Sequence, residues 1–258
     1  MGGPNLSLEG RVAVVLGGTA GIGRALSVGL AHAGADVVAT GRRMDQVEET
    51  ATEIGTLGRR ALRLTSDVTD RASLEKLLAG VLSAFGKVDI LVNCAGRTKR
   101  APTLDFSEND FKDILETNLL GTLRGCQVFG RHMLERGYGR IINIASVTSF
   151  VALFEVAAYG ASKGAVAALT QSLALEWGPK GVCVNAIAPG FFRTHLNAAL
   201  LDGTPRGHEL LMRAPMKRFG KVEELAGAAV FLASEAASFV NGEILVVDGG
   251  FLASGVNQ

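Results

Sequence analysis

The sequence predicts an α/β protein: a single Rossmann-type domain with a doubly wound parallel sheet and helices on both faces. Short apolar runs alternate with helical patterns, a glycine cluster follows the first run, and no change in composition marks a second domain. Strands that are apolar throughout are typical of parallel sheets that are covered on both faces. Seven runs predict seven strands, at residues 12–16, 37–39, 61–64, 88–92, 141–145, 182–187 and 244–247.

Helical patterns lie between these runs. Gly34 ends the first of them, and residues 45–48 read as a capping box with Asp45 as the N-cap. Residues 190–221 interrupt the alternation with prolines, glycines and charges of both signs. We expect a lid over the binding site there, the alternative being a variable surface loop. The predicted helices lie near residues 22–33, 70–84, 107–136, 156–178 and 222–234.

Charge and cysteine content narrow the functional class. The 258 residues include 26 basic and 25 acidic side chains, which disfavours a role that needs a basic surface for nucleic acid or a membrane. No apolar run is long enough to span a membrane, and the N-terminus does not resemble a signal peptide. Cys94, Cys126 and Cys183 form no cluster with each other or with histidines. We therefore expect a cytoplasmic protein with reduced thiols, without a disulfide framework or a metal site.

A glycine-rich turn follows the first predicted strand. Gly17, Gly21 and Gly23 precede a helical pattern, and glycines there let the chain turn sharply and let a phosphate approach the backbone. The N-terminus of the next helix offers N–H groups and a partial positive charge to that anion. The spacing differs from the commonest dinucleotide fingerprint. Its place in the first strand–helix turn nevertheless predicts a pyrophosphate site.

The second predicted strand ends at Thr40, Gly41, Arg42 and Arg43. An NAD-binding sequence carries an acidic residue at this point for the adenosine ribose. Two arginines suit a 2′-phosphate instead, because charge-assisted hydrogen bonds are strong. We predict that NADP(H) is preferred and that NAD(H) is possible. The alternative is that Arg42 and Arg43 are solvated turn residues and that cofactor specificity is loose.

Tyr159 and Lys163 stand four residues apart on a predicted helix, which places them on one face. A free phenol has a pKa of about 10. A neighbouring ammonium is expected to lower that pKa and make Tyr159 a general acid–base. Ser146 follows the fifth predicted strand, at the edge where α/β sheets bind ligands. It is a candidate to hold a substrate oxygen, the alternative being a turn or capping serine.

Together these motifs resemble those of the short-chain dehydrogenase/reductase family, from about Leu8 to Gly250. Leu16 stands where the family usually has threonine, and Cys94 replaces the second asparagine of its Asn-Asn-Ala-Gly segment. The resemblance implies hydride transfer between a nicotinamide cofactor and a carbonyl or secondary alcohol. It also implies a homotetramer built on helix pairs, to which the apolar helix 156–178 would contribute.

The resemblance also implies the site residues. Tyr159 would be the general acid–base, Ser146 the oxygen holder and Lys163 the residue that tunes the pKa and anchors the ribose. Asn118 would join them by holding a water that relays protons. The cofactor would contact residues distributed along the carboxyl edge of the sheet: Gly17, Thr19, Gly21, Ile22, Gly23, Arg42, Arg43, Asp67, Val68, Asn93, Ala95, Gly96, Tyr159, Lys163, Pro189, Gly190 and Thr194.

Arg97, Lys99 and Arg100 form a local excess of positive charge after the fourth predicted strand. A bidentate arginine is a usual device for holding a carboxylate. The segment is similar to that of the family's gluconate 5-dehydrogenase-like members, so Arg100 is predicted to bind a sugar acid together with Ser146 and Tyr159. The alternative is a solvated charge run or added attraction for NADP. Arg193 and His195 are candidates to face the substrate from the lid.

Two other functions remain open at this stage. A 3-oxoacyl-acyl-carrier-protein reductase shares nearly every motif above and would need an apolar channel with a basic docking face. A nucleotide-sensing or scaffold protein would keep the fold without turnover. Sensing alone does not require the complete catalytic set, so the sequence favours an enzyme.

Overall fold

The buried apolar runs form one parallel sheet in the computed structural model, which describes residues 5–194 and 197–255. The strand order is β2-β1-β3-β4-β5-β6. The chain therefore reverses its direction of winding between β1 and β3, the point where doubly wound sheets bind ligands. The strands are β1 (Val12–Leu16), β2 (Asp36–Thr40), β3 (Ile90–Asn93), β4 (Gly139–Ile144), β5 (Val182–Pro189) and β6 (Ile244–Val247).

The fold class is confirmed, but the described residues form six strands rather than seven. Residues 61–64 lie beside the edge strand β2 without a ladder of their own. Main-chain hydrogen bonds join Val37 N to Arg60 O and Ser66 N to Gly41 O, both at 3.0 Å. Between these two bonds, the side-chain hydroxyl of Thr40 donates to Leu64 O at 2.7 Å. A side chain thus takes the place of a main-chain hydrogen bond of the sheet.

Most of the predicted helices are present within a few residues of their expected bounds. They are α1 (Gly21–His32), α2 (Met44–Thr56), α3 (Arg71–Phe85), α4 (Glu108–Leu115), α5 (Gly121–Arg136), α6 (Ala157–Trp177), α7 (Ala198–Leu201), α8 (Pro205–Arg213) and α9 (Ala226–Ala233).

Helices cover both faces of the sheet because its strands are apolar on both. Ala13 and Val15 of β1 pack in one buried cluster with α1 and α9. Val14 and Leu16 point to the other face and pack with α3, α5 and α6. The strand ends meet at a common carboxyl edge that these layers leave open to ligands.

One local prediction is wrong. Helix α2 begins at Met44 with Arg43 as its N-cap, so Asp45 lies in the first turn rather than at the cap. The helical pattern predicted at 107–136 contains α4 and α5, joined by a π-helical turn at Glu116–Leu120. The segment 190–221 contains the short helices α7 and α8.

Segment 190–221, the predicted lid, has a small apolar core of its own. Leu201 and Leu210 pack with Phe251 near the C-terminus, and Arg193 forms a bidentate ion pair with Asp202. This segment is therefore tied to residues near the C-terminus as well as to β5. Within the described residues, no helix is both long and apolar enough to cross a membrane.

Candidate active site

The glycine turn between β1 and α1 is closely packed. A Cβ on Gly17 would lie 2.7 Å from Ala95 Cα, and one on Gly23 would overlap the Gly17 carbonyl oxygen. Helix α1 begins at Gly21 after Ala20, which supplies no side-chain cap. The first N–H groups of α1 therefore have no capping side chain, as a phosphate-binding turn requires. Ile22 follows in the first turn and packs against the core.

The far end of this crevice carries the residues predicted for the adenosine. Arg42 and Arg43 are exposed, and Thr19 lies beside Gly41, where an added Cβ would stand 2.9 Å from the Thr19 hydroxyl oxygen. Burial raises the pKa of Asp67. Hydrogen bonds from Thr69 and the charge of Arg42 outweigh that effect and hold this pKa below its usual value. The positive charge of Arg42 therefore reaches Asp67, at the end of the crevice that is predicted to bind the adenosine.

Residues on β3 and after it line the middle of the crevice. The buried Asn93 amide donates to Asn143 Oδ1 at 2.8 Å, which links β3 to β4 beneath the site. Ala95 approaches Gly17 as described above, and Val68 is buried against Gly121. A Cβ on Gly96 would lie 3.8 Å from Lys163 Nζ. The Asn-Cys-Ala-Gly segment is thus adjacent to both the glycine turn and the catalytic helix.

Asn118 lies in the π-helical turn and is fully buried. Its Oδ1 accepts a hydrogen bond from Arg97 N at 2.8 Å, and its Nδ2 donates to Arg97 O and to Ser162 Oγ, both at 3.0 Å. Because Ser162 lies on α6, this side chain joins the loop after β3 to the helix of Tyr159. The widened turn places the amide between these two elements.

Tyr159 and Lys163 share one face of α6, as the spacing predicts. Lys163 Nζ lies 5.7 Å from the centroid of the Tyr159 ring and donates to Ile144 O at 2.6 Å. Lys163 is only 5% exposed, and burial lowers its pKa to about 8. The cation is therefore fixed to the end of β4, next to the phenol.

The expected fall in the pKa of Tyr159 is not observed. Burial raises this pKa, while a hydrogen bond with Ser146 lowers it in part. The spacing on α6 did not indicate that Tyr159 is part-buried, and Lys163 directs a hydrogen bond to a main-chain carbonyl rather than to the phenol. The phenol is therefore protonated at neutral pH.

Ser146 takes the capping role that the sequence allows as an alternative. Its Oγ accepts a hydrogen bond from Thr148 N at 3.1 Å and so caps a 3-10 turn. The same hydroxyl is hydrogen-bonded to Tyr159, and this bond lowers the pKa of the phenol. Holding a substrate oxygen, which needs the single proton of this hydroxyl, stays a prediction.

The lid begins directly after β5. Gly190 N donates to Val247 O at 2.9 Å, which holds the Pro189–Gly190 corner against β6. Thr194 lies above the glycine turn, since a Cβ on Gly21 would be 3.6 Å from its methyl carbon. Arg193 is paired with Asp202, and His195 lies outside the described residues. The elements predicted to bind a dinucleotide thus meet along one crevice.

Comparison with known proteins agrees with this arrangement. A family model described as enoyl-(acyl carrier protein) reductase matches residues 17–252. The gluconate 5-dehydrogenase of Gluconobacter oxydans is 42% identical over 96% of this chain and 97% of its own length. The chain belongs to the short-chain dehydrogenase/reductase family. Like other members it is an NAD(P)-dependent oxidoreductase.

Two further relatives bear on specificity within this family. The D-threitol dehydrogenase of Mycolicibacterium smegmatis is 42% identical over 95% of this chain and 94% of its own. The crystal structure of a gluconate 5-dehydrogenase from Burkholderia cenocepacia, in complex with NADP and tartrate, has a TM-score of 0.94. It is 40% identical and covers 98% of this chain and 99% of its own.

All three cations predicted to attract a carboxylate are paired. Arg97 binds Asp113 at 3.1 Å and Lys99 binds Asp110 at 2.6 Å. Arg100 Nε lies 2.6 Å from Glu155 Oε2. The local excess of positive charge in the sequence is thus compensated in the fold by acidic residues that lie further along the chain.

Sequence reasoning missed Ser162 and Glu155. Ser162 lies in the Tyr159–Lys163 motif but bonds the Tyr159 carbonyl at 2.7 Å as well as Asn118, a role that no spacing rule indicates. Glu155 lies in the loop before α6 and has a left-handed backbone, with φ of 64°. Nothing in the sequence around an acidic residue predicts such a conformation.

Proposed function

We propose that this protein is an NADP(H)-dependent enzyme that interconverts a secondary alcohol and a ketone on a sugar acid. The observation that carries the proposal is that a glycine turn fit for a pyrophosphate shares one crevice with Ser146, Tyr159 and Lys163. The close approach of Gly17 to Ala95 and the first turn of α1, which has no side-chain cap, fit the cofactor at this edge.

The residues of the chain would act as follows. In the direction of reduction, the protonated phenol of Tyr159 donates its proton to the carbonyl oxygen. The Ser146 hydroxyl donates a hydrogen bond to the same oxygen, while the bond from Thr148 N to its Oγ holds the hydroxyl in place. The Lys163 ammonium, 5.7 Å from the ring centroid, stabilises the phenolate that remains. When bound, the nicotinamide cofactor supplies the hydride for reduction or accepts it in oxidation.

Preference for NADP(H) rests on Arg42 and Arg43. Both side chains are exposed beside the crevice, and the Arg42 charge reaches Asp67 at its adenosine end. Two guanidinium groups suit a phosphate better than a hydroxyl. The Burkholderia relative was crystallised with NADP.

The sugar-acid substrate is supported by Arg100 and by the relatives. Arg100 lies four residues beyond Gly96, which borders Lys163, and its guanidinium is part-exposed. Gluconate 5-dehydrogenase acts on a sugar acid, and the crystallised relative holds tartrate, a dicarboxylate. These facts favour a substrate that carries a carboxylate.

A neutral polyol is the second candidate substrate. The three cations near the site are already paired with carboxylates, and D-threitol dehydrogenase is as similar to this chain as the gluconate enzyme. A neutral substrate would leave those ion pairs intact.

Steady-state kinetics test these proposals in one set of assays. D-gluconate, 5-keto-D-gluconate, D-threitol and an acetoacetyl thioester are each offered with NADP(H) and with NAD(H). We expect the highest kcat/KM for a sugar acid with NADP(H). Turnover of the thioester alone would replace the proposal by an acyl reductase, and turnover of D-threitol alone by a polyol dehydrogenase. Equal efficiency with both cofactors would refute the NADP(H) preference.

We also propose that the protein is a homotetramer. One face of α6 exposes Ala157, Ala161, Ala168 and Leu175, and small residues permit close approach of a second helix. The apolar side chain of Phe251, near the C-terminus, is buried within its own subunit against Leu201 and Leu210. Light scattering at four times the chain mass would support the tetramer, and a single-chain mass would refute it.

We also propose that the protein is cytoplasmic. Cys94, Cys126 and Cys183 are free thiols, which suits a reducing compartment. Fractionation of the source cells with an antibody to the chain tests this, and recovery in an oxidising compartment would contradict it.

A further inference from the structure

The loop between β4 and α6 holds Glu155 in an unusual conformation. Its φ of 64° lies in the left-handed region, which costs energy for a residue other than glycine. Residues held in this way persist only when surrounding contacts fix them, and they cluster at ligand sites. Glu155 lies four residues before Tyr159, in the loop that leads into α6 and that we call the rim of the candidate active site.

Two contacts fix Glu155 to the loop that follows β3. Its carboxylate binds Arg100 Nε at 2.6 Å, and its carbonyl oxygen accepts a hydrogen bond from Ala101 N at 3.1 Å. Side chain and main chain thus both tie the rim of the active site to the Arg100 loop. The ion pair is part-exposed, with 42% of the Arg100 side chain and 21% of the Glu155 side chain accessible. A ligand from solvent can therefore reach it.

The lid brings a second guanidinium to the same place. Arg206, in the first turn of α8, donates through Nη1 to Phe154 O at 3.3 Å, one residue before Glu155. Burial and the positive charge of Arg100 lower the pKa of Arg206, while Glu155 and the exposed Glu209 raise it. Arg206 is therefore part-desolvated and close to both members of the ion pair.

Arg206 also differs from the other cations around the site. Among the described residues, Arg97, Lys99, Arg100 and Arg193 each have a carboxylate within 4 Å, whereas the guanidinium of Arg206 has none. Glu155 is paired with Arg100, and Arg206 feels the charges of Glu155 and Glu209 without an ion pair to either. An anion bound between the two guanidinium groups would give Arg206 a direct partner.

We propose that Arg206 is a specificity-determining residue, which binds the carboxylate of the substrate together with Arg100, and that Glu155 is the internal carboxylate with which the substrate competes. The inference rests on the proposed sugar-acid function and deepens it. A monoanionic substrate gains two charge-assisted partners when it displaces Glu155 from Arg100. A neutral polyol gains neither, because Arg100 is already satisfied.

The first arm of the test measures KM and kcat for Arg206→Gln with D-gluconate and with D-threitol. We expect KM for gluconate to rise at least tenfold, with kcat little changed and with any D-threitol kinetics unchanged. Arg206→Lys keeps the charge and should recover part of the gluconate affinity. Arg131→Gln is the matched control. It removes one exposed positive charge from α5, a helix that contributes no residue to the proposed carboxylate site.

The second arm measures Glu155→Gln. Removing the competing charge should lower KM for gluconate about threefold to tenfold and leave D-threitol unaffected. Glu48→Gln on the exposed side of α2 is the matched control. Calorimetric titration of each variant with gluconate gives the same comparison without turnover, and circular dichroism checks that each variant is folded.

The possible failures are distinguishable. A wild-type enzyme that oxidises gluconate while Arg206→Gln keeps its gluconate KM overturns this inference and leaves the proposed function intact. An equal rise in KM for gluconate and D-threitol also overturns it, since Arg206 would then only shape the lid. A wild-type enzyme that binds no gluconate refutes the proposed function, and this inference with it.

Discussion

Two buried charges, one at each edge of the sheet, have opposite surroundings. Asp89, at the amino edge before β3, is fully buried and lies within 4 Å of Arg11, Lys87 and Arg136. Its Oδ2 also accepts from Val12 N at 2.9 Å. Lys163, at the carboxyl edge, is nearly as buried, yet among the described residues its ammonium hydrogen-bonds only the carbonyl of Ile144.

This difference separates a buried charge that lies among opposite charges from one that does not and that we propose serves catalysis. Taking a charge out of water is costly, and only Asp89 is surrounded by opposite charges. The cost at Lys163 is visible in its pKa, which burial lowers to about 8. Perturbed groups of this kind cluster at functional sites, and here the group stands beside the phenol of Tyr159.

The largest expected effect is on catalysis. Tyr159→Phe removes the proton that the site transfers, so kcat should fall by about a thousandfold or more while cofactor binding persists. Tyr138→Phe is a matched control, because the other tyrosine lies at the amino edge, where its hydroxyl donates to Glu235 at 2.9 Å. Steady-state kinetics and a cofactor titration of both variants check this. Substantial activity in Tyr159→Phe would remove the phenol from the mechanism.

The second effect is on stability at the amino edge. Asp89→Asn leaves three cations around a neutral amide and should lower the free energy of unfolding by about 3 kcal/mol. Asp113→Asn breaks a single exposed ion pair with Arg97 and should cost well under 1 kcal/mol. Denaturant unfolding of the two variants measures the difference. Equal losses would contradict a structural role for the Asp89 cluster.

The third effect concerns the cofactor. Replacing both Arg42 and Arg43 by glutamine should raise KM for NADP(H) by about ten- to a hundredfold, because two charge-assisted bonds are lost. KM for NAD(H) should be unchanged, and Arg131→Gln should alter neither. A parallel loss with both cofactors would show that the arginines support the turn rather than read the phosphate.

The smallest effect is a gain in stability. Lys163→Met removes a buried ammonium whose pKa lies about 2.5 below its ordinary 10.5, a penalty of about 3 kcal/mol at neutral pH. Loss of the bond to Ile144 O offsets part of this gain, by about 1–3 kcal/mol. We expect an inactive variant that is more stable at pH 7 by on the order of 1 kcal/mol.

Much of the fold and of the candidate site was predictable from the sequence, but the cations around Asp89 were not. Apolar runs located all six strands, and the order of the glycine turn, Ser146 and the Tyr159–Lys163 pair indicated a common edge. The prediction of a strand at residues 61–64 is wrong because an apolar segment beside a sheet can have the composition of a strand without forming the main-chain hydrogen bonds of one. A pattern of residue types carries no information on whether main-chain partners are in register.

Other features depend on contacts between distant segments. The direction of the Tyr159 pKa shift follows from burial, which spacing on one helix does not reveal. The pairing of Arg100 with Glu155 joins residues that are 55 positions apart and requires a left-handed backbone at a residue type that rarely adopts it. Arg206 contacts the loop of Glu155 only because α8 packs next to that loop, through a hydrogen bond to Phe154 O.

The most direct measurement of the central claim is the free energy of unfolding of the wild type and Lys163→Met between pH 7 and pH 10.5. Between about pH 8 and 10.5 the unfolded wild type binds more protons than the folded protein, so its stability should rise with pH. The advantage of Lys163→Met should therefore shrink across this window and reverse at its upper end. A difference that stays constant from pH 7 to 10.5 would contradict the claim that the carboxyl edge keeps an uncompensated charge for catalysis.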